Sequence, residues 1–267
     1  MNNTYLLERK LLTSGKTNHL KRNYDKAIRD FSKVLKMNPK NITAYLLRAR
    51  TYSGKQMQDT QFILLRNKIP KYFNLAIKDL DKAISINPGN AEAYADRSHI
   101  KGLKRDSKGA FKDIDKAIEL EPNNESFYFY RWYENIRANR FDDIIVDMTK
   151  VISINPKNSL AYSDRGHAKR DKGDYDGAIK DYKKAIKIDP GHISLSLHDI
   201  GNAKYEKGEI KEALKTMDES IKLYKQPKEE DLFLAIIYED RAKIRFANGD
   251  LKGRKEDLAM AEKLGLP

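Results

Sequence analysis

The side chains best suited to chemistry in this chain of 267 residues are five histidines and a large set of carboxylates. Two of the histidines, His99 and His167, come closest to a constellation, with Asp164 and Asp171 placed one helical turn either side of His167. A carboxylate beside an imidazole can act as a general acid–base pair or supply ligands to a metal. Spacing argues against both roles. His99 and His167 stand 68 residues apart, two periods of the repeat described below. With packed helices ~8–10 Å apart, two periods separate them by roughly 20 Å, whereas a zinc ion needs its nitrogens within ~2.1 Å. No HExxH, GxGxxG, Walker or GxSxG arrangement is present, and cysteine is absent. The expectation is a chain that is not an enzyme, with no catalytic residue, no metal and no cofactor.

The elements that must position these residues repeat. Pro88, Pro122, Pro156 and Pro190 are each 34 residues apart. Between prolines the apolar residues recur at intervals of three and four, with a break near the middle at Gly or a polar turn. That pattern predicts two antiparallel helices per period, the second stopped by the proline. In Ala161–Pro190, "AYSDRGHAKRDKGDYDGAIKDYKKAIKIDP", the framework residues are Tyr162, Gly166, Gly173, Tyr175, Ala178, Tyr182, Ala185 and Pro190.

In their types and spacing these residues resemble the tetratricopeptide repeat (TPR) family. The family unit has 34 residues, aromatics at repeat positions 4, 17 and 24, small residues at 8 and 20, Gly at 15, Ala at 27 and Pro at 32. The resemblance implies an all-α fold: a right-handed α-solenoid, or superhelix, of stacked antiparallel helix pairs. One solenoid is expected over 1–267, with about seven units at 8–41, 42–90, 91–124, 125–158, 159–192, 194–227 and 235–267. Positions 8 and 20 are small because the two helices approach there, and positions 24 and 27 bury against the next unit.

Three departures stand out. Pro39 to Pro88 spans 49 residues, so the second unit carries 15 extra residues near 56–70. They predict either a lengthened helix or loop, or a secondary contact site through Phe62, Leu64 and Leu65. The fourth unit has Trp132 and Ile144 at the two small positions, which predicts a splayed or shifted pair. The seventh has Arg254 and Lys255 where Ala and Ile stand elsewhere, suiting a polar outer face on a terminal unit.

Lys and Arg total 52 against 39 Asp and Glu, a net charge of +13. The apolar content of 40% with 15 Tyr is too rich for a disordered chain. No apolar run approaches the length of a membrane span, and the opening "MNNTYLLERKLL" has no signal-peptide pattern. A cytoplasmic location is therefore expected.

In the family, the first helices line a concave groove through positions 2, 5, 6, 9, 12 and 13. Here those positions hold six basic and eight acidic residues, so this face is slightly acidic and the basic excess lies elsewhere, largely on the second helices. The groove candidates are Arg50, Asp96, His99, Tyr133, Arg137, Asp164, His167, Arg170, Asn202, Tyr205 and Lys243. Its early units are basic and its late units acidic, which suits a peptide of mixed charge with its basic part towards the C-terminal units.

The family's two-carboxylate clamp for chaperone tails is not matched, because position 5 has no Lys and position 6 is acidic or apolar. The expected role is a scaffold or adaptor for a protein or peptide, as a monomer or weak homo-oligomer. A nucleic-acid ligand is disfavoured because the groove is not basic with interleaved aromatics. Alternatives are nucleic-acid binding on a basic convex face, or service as the regulatory subunit of a separate enzyme. The recurrent Arg48, Arg97, Arg131, Arg165 and Arg241 at position 7 read as structural, pairing with the adjacent Asp, and not as ligands.

Overall fold

The computed structural model describes residues 3–62, 71–224 and 231–266. Among them are fourteen α-helices: α1 (Asn3–Leu20), α2 (Tyr24–Met37), α3 (Ile42–Phe62), α4 (Lys71–Ile86), α5 (Ala91–Leu103), α6 (Ser107–Leu120), α7 (Glu125–Arg137), α8 (Phe141–Ile154), α9 (Ser159–Asp171), α10 (Tyr175–Ile188), α11 (Ile193–Glu206), α12 (Ile210–Leu223), α13 (Leu232–Ala247) and α14 (Leu251–Lys263). No strand occurs among the described residues. The chain divides into two compact units, 1–134 and 135–267.

Within the first unit α1 packs on α2, α3 on α4 and α5 on α6. Within the second, α9 packs on α10, α11 on α12 and α13 on α14. The second helix of one pair also packs on the first helix of the next, as α2 does on α3 and α10 on α11. The fold is all-α, built of stacked helix hairpins.

Local sequence explains the hairpins. Asn41, Asn90 and Asn158 follow the repeat prolines, and their side chains accept from the backbone N–H of Ala44, Ala93 and Ala161 at 2.8, 2.8 and 3.1 Å. Each is an N-cap for the next first helix. Asp106, Asp174 and Asp250 cap second helices in the same way, through the N–H of Gly109, Gly177 and Gly253. The turn inside the pair needs one left-handed residue. Gly173, Gly208 and Gly249 provide it with φ of 82°, 89° and 79°, while Arg22, Arg105 and Asn139 take the same place with φ of 58°, 64° and 54°. The turn thus survives without glycine, at a cost of about 1–2 kcal/mol where Arg stands.

The helices meet at small residues. A Cβ on Gly166 would lie 2.6 Å from the ring of Tyr182, which is itself fully buried. Second helices bury a repeated stripe, Ala76, Leu80 and Ala83 in α4 and Ala110, Ile114 and Ala117 in α6. In α8 the stripe is Ile144, Met148 and Val151, all fully buried, and Trp132 is half-buried on α7. Arg254 is exposed, with its guanidinium 4.5 Å from the ring of Phe246, and the neighbouring Gly253 is buried in its place. The extra residues of the second unit begin as helix, since α3 has 21 residues against 13 in α5 and α9. Gln56 accepts there from the N–H of Tyr72 at 3.1 Å, closing the start of α4. Leu64, Leu65 and the side chain of Phe62 lie outside the described residues.

Charged residues tie the hairpins together. Arg165 donates to both oxygens of Asp181 at 2.9 and 2.7 Å, and its remaining nitrogen reaches Thr149 of the preceding second helix at 3.0 Å. Lys169 adds a second cation to Asp181 at 2.8 Å. Arg97 does the same with Asp113 and, one hairpin back, Asp81. Arg48 uses Asp79 and Ser32, and Arg241 uses Asp257 and Asp218. Each of these guanidiniums also sits 5.2–5.9 Å from a tyrosine ring one turn earlier, Tyr45, Tyr94, Tyr162 or Tyr238. The α11–α12 hairpin replaces both partners at once, with Ile200 and Thr216, and Lys204 bonds to Thr216 at 2.9 Å.

Asp181 is almost fully buried, so truncating it leaves two cations without their anion. Asp181→Thr is expected to cost about 3 kcal/mol. Adding Arg165→Ile, which recreates the Ile200–Thr216 solution, is expected to return the protein to within about 1 kcal/mol of the parent. Urea denaturation of both single variants and the double checks this, and strictly additive losses would show that the pair is not coupled.

Candidate functional site

The first helices carry the residues singled out above, and each unit presents its own set. In the first unit, His19 Nδ1 lies 3.0 Å from Thr51 Oγ1 across α1 and α3. The Thr51 hydroxyl donates to the Leu47 carbonyl, so it accepts from the histidine. From α3, Arg50 donates to Asp96 on α5 at 2.7 Å and lies 3.5 Å from Glu92. His99 on α5 packs its ring 5.8 Å from that of Tyr130 on α7. Burial raises the pKa of Asp96 even though the Arg50 charge opposes it, and burial together with Arg50 lowers that of His19. Tyr130 and Tyr133 remain 39% and 46% exposed, so aromatic surface is open on this face.

The second unit has a different chemistry. His167 Nε2 on α9 lies 3.1 Å from Asp199 Oδ2 on α11, and His198 Nε2 on α11 lies 2.8 Å from Asp240 Oδ2 on α13. Asn202 donates to the same Asp240 oxygen at 3.3 Å, while Lys243 donates to the other at 2.9 Å and reaches Glu239 at 3.1 Å. Burial would raise Asp240, but the bonds from His198 and Lys243 outweigh it and hold it at about 2. Burial likewise disfavours the charged form of His167, yet the Asp199 bond prevails and its pKa is raised. Arg170 reaches Asp171 at 3.2 Å and Glu206 at 3.9 Å. Tyr205 is half-buried against the core of α12–α14.

Asp164 differs from its neighbours. It sits one turn before His167 on α9, half-buried, with no hydrogen bond or ion pair to the described residues. Burial pushes its pKa up to about 6, with His167 pulling the other way. Glu206 is also raised by burial. Of the two, Glu206 has Arg170 at 3.9 Å, and Asp164 is left with unmet demand for positive charge.

A pattern joins five of the eleven groove candidates. Position 9 of one hairpin meets position 6 of the next: Arg50 with Asp96, His99 with Tyr130, His167 with Asp199, Asn202 with Asp240. Residues that sequence spacing marks as free ligand groups therefore also bond one first helix to the next. Their complementary types one repeat apart are the signal that could have shown this. Arg137 is exposed at the end of α7. Among the described residues no group of three His, Asp or Glu is close enough to hold a metal, and no helix is long and apolar enough to cross a membrane.

Stacked helix hairpins with Arg–Asp ties between repeats define a class, the helical-repeat proteins. Tetratricopeptide-repeat family models match residues 159–192 and 11–41, and these stretches are tetratricopeptide repeats. A search of curated proteins returns no match. Among solved structures, MamA is 28% identical, over 66% of this chain and 95% of its own, with a TM-score of 0.55. A tetratricopeptide repeat protein from Parabacteroides merdae ATCC 43184 is similar at 15% identity, over 98% of this chain and 94% of its own, TM-score 0.64. YrrB, described as a TPR protein with an unusual peptide-binding site, is similar at 19% identity over 77% of this chain and 95% of its own, TM-score 0.59. The latter two likenesses concern the fold.

Because the folded pKa of His167 is raised above its unfolded value of 6.5, its bond to Asp199 stabilises fully below pH 6.5. That contribution is lost as pH rises through the higher folded value. An NMR titration should place His167 above 6.5, and Asp199→Asn should move it down. A titration unmoved by Asp199→Asn would separate the two groups.

Proposed function

We propose that this chain is a non-enzymatic scaffold whose first-helix faces bind an extended peptide or protein segment, with basic side chains of that segment against α9, α11 and α13. The observation that carries this is Asp164: a half-buried carboxyl with a pKa near 6 and no bonded partner; on α11, burial also raises the pKa of Glu206. An incoming Lys or Arg would supply the missing charge and form a charge-assisted hydrogen bond. The exposed Tyr130 and Tyr133 in the first unit offer aromatic surface for apolar or cationic groups. The peptide-binding site named for YrrB belongs to that protein, and supports the same use of the fold here.

The reading has a pH signature. Binding a cation to Asp164 requires its ionised form, so complex formation releases a proton near pH 6. Affinity is expected to rise as pH increases through that value, and protonation of His167 at low pH works in the same direction.

A random peptide library displayed on phage and selected on the immobilised full chain provides the probe. Enriched peptides should be rich in Lys or Arg. By fluorescence anisotropy, the best of them should lose about tenfold in affinity against Asp164→Asn with Glu206→Gln, the loss of one or two charged hydrogen bonds. Its affinity for the parent should also fall between neutral pH and pH 5. Peptides without basic enrichment, or an affinity indifferent to the two substitutions, would overturn the assignment.

A further inference from the structure

The second helices of the first unit carry a set of cations that nothing in the fold neutralises. Every acid on α2, α4 and α6 is engaged. Asp25 bonds to Lys55, Asp30 to Ser14 and Asn18, Asp79 to Arg48, Asp81 to Arg97, Asp113 to Arg97 and Lys101, Asp115 to Arg131, and Glu119 to Lys116. Several of the cations are not. Arg29 and Lys33 on α2, Lys78 and Lys82 on α4, and Lys112 on α6 are all exposed and have no hydrogen bond or ion pair among the described residues. They occupy the same two repeat positions on successive second helices, so they form rows rather than scattered charges.

A second feature adjoins the rows. Leu6 and Leu7 on α1 are 48% and 49% exposed. With Lys10 of α1 and Met37 at the end of α2 they line an open groove of about 380 Å³. Lys36 and Lys40, both exposed, flank Met37 in the chain.

We propose that this face of the first unit docks on the surface of an anionic lipid bilayer, with the lysine rows against the headgroups and Leu6 and Leu7 entering the interface. Three observations favour lipid over nucleic acid. The row residues are Lys with a single Arg, and Lys is a point charge suited to a diffuse anionic surface, whereas Arg forks onto individual phosphates. No large aromatic on α2, α4 or α6 is exposed, so the lysine rows carry no platform for stacking bases, and the exposed Tyr5 beside Leu6 and Leu7 suits a bilayer interface. Exposed leucines beside a basic patch add the second, apolar signal that stable membrane association requires. No helix among the described residues is long and apolar enough to cross a bilayer, and the contact proposed is with the bilayer surface. This contact uses the second helices and the start of α1, and so stands apart from peptide binding on the first helices.

Co-sedimentation of the full chain with vesicles tests it. Vesicles of phosphatidylcholine alone are compared with vesicles containing about a quarter phosphatidylserine, at low salt and near 0.5 M, where screening shortens the reach of each charge. The chain should pellet only with the anionic vesicles, and salt should release it. Charge reversal at Lys33→Glu, Lys78→Glu and Lys112→Glu should lower binding at least tenfold, the neutral Lys→Gln triple by less, and Leu6→Gln with Leu7→Gln severalfold. All substituted positions are exposed, so an unchanged thermal melt is expected for each variant. Equal pelleting with neutral vesicles, or binding untouched by charge reversal, would overturn the proposal. So would displacement from the vesicles by a short DNA duplex bound more tightly at the same salt.

Discussion

The arginine at repeat position 7 is the contact on which the rest of the architecture depends. Arg48, Arg97, Arg165 and Arg241 each hold the aspartate of their own hairpin with two nitrogens and reach the preceding hairpin with a third. A planar guanidinium can do this because its donors form a fixed fork, which no lysine offers. Such a pair is not a large net source of stability, since both ions must leave water. Its effect is on register. A hairpin displaced by one turn would strand a buried carboxylate, so wrong stackings are penalised more heavily than the right one is rewarded. Hydrophobic stripes of Ala and Leu are uniform enough to slide, and the ion pairs are what distinguish one register from the next.

The same constraint shapes the outer surface. Aspartates at the inner position and at the acceptor position of the preceding helix are occupied by the arginines, which engage Asp79, Asp81, Asp113 and Asp115 of α4 and α6. Most lysines on those helices have no such role, and α2, α4 and α6 together carry ten basic residues against seven acidic ones. First helices behave differently, because position 9 of one hairpin meets position 6 of the next. Their charge is largely internal to the stack, and what remains for a ligand is the residue set left over from those contacts.

Much of the fold was legible from the 34-residue spacing of the prolines and the small residues at positions 8 and 20. The helix pairs and the close approach at Gly166 follow directly. The position-7 arginines are structural as expected, but Arg97, Arg165 and Arg241 bond Asp113, Asp181 and Asp257 on the second helix, not the aspartate next to them in sequence. Other features were not. The asparagine after each proline reads as the end of one helix, yet Asn90 and Asn158 are caps for the next, since a cap is defined by the backbone it accepts from. The left-handed turns at Arg22 and Arg105 lack the glycine that normally signals them. Arg254 stands at a position reserved elsewhere for a small residue and is nonetheless exposed over Phe246. The candidate site was legible in location but not in state. His167 and Asn202 sit where periodicity puts them, but their partners on the following hairpin depend on how one first helix lies beside the next.

Differences within the repeat carry the functional information for the same reason. Where types at positions 9 and 6 are complementary, as with Arg50 and Asp96, the groups satisfy one another and a ligand would have to compete with that bond. Asp164 has the carboxylate of this pattern without a bonded partner. Its burial raises the cost of ionisation, and the nearest histidine is drawn towards Asp199 instead. A carboxyl kept half out of water and uncompensated is unfavourable for the isolated fold. On the proposed function, that free energy is recovered when a cation arrives from outside, and Asp164 becomes the point on α9 where an external positive charge contributes more than an internal one.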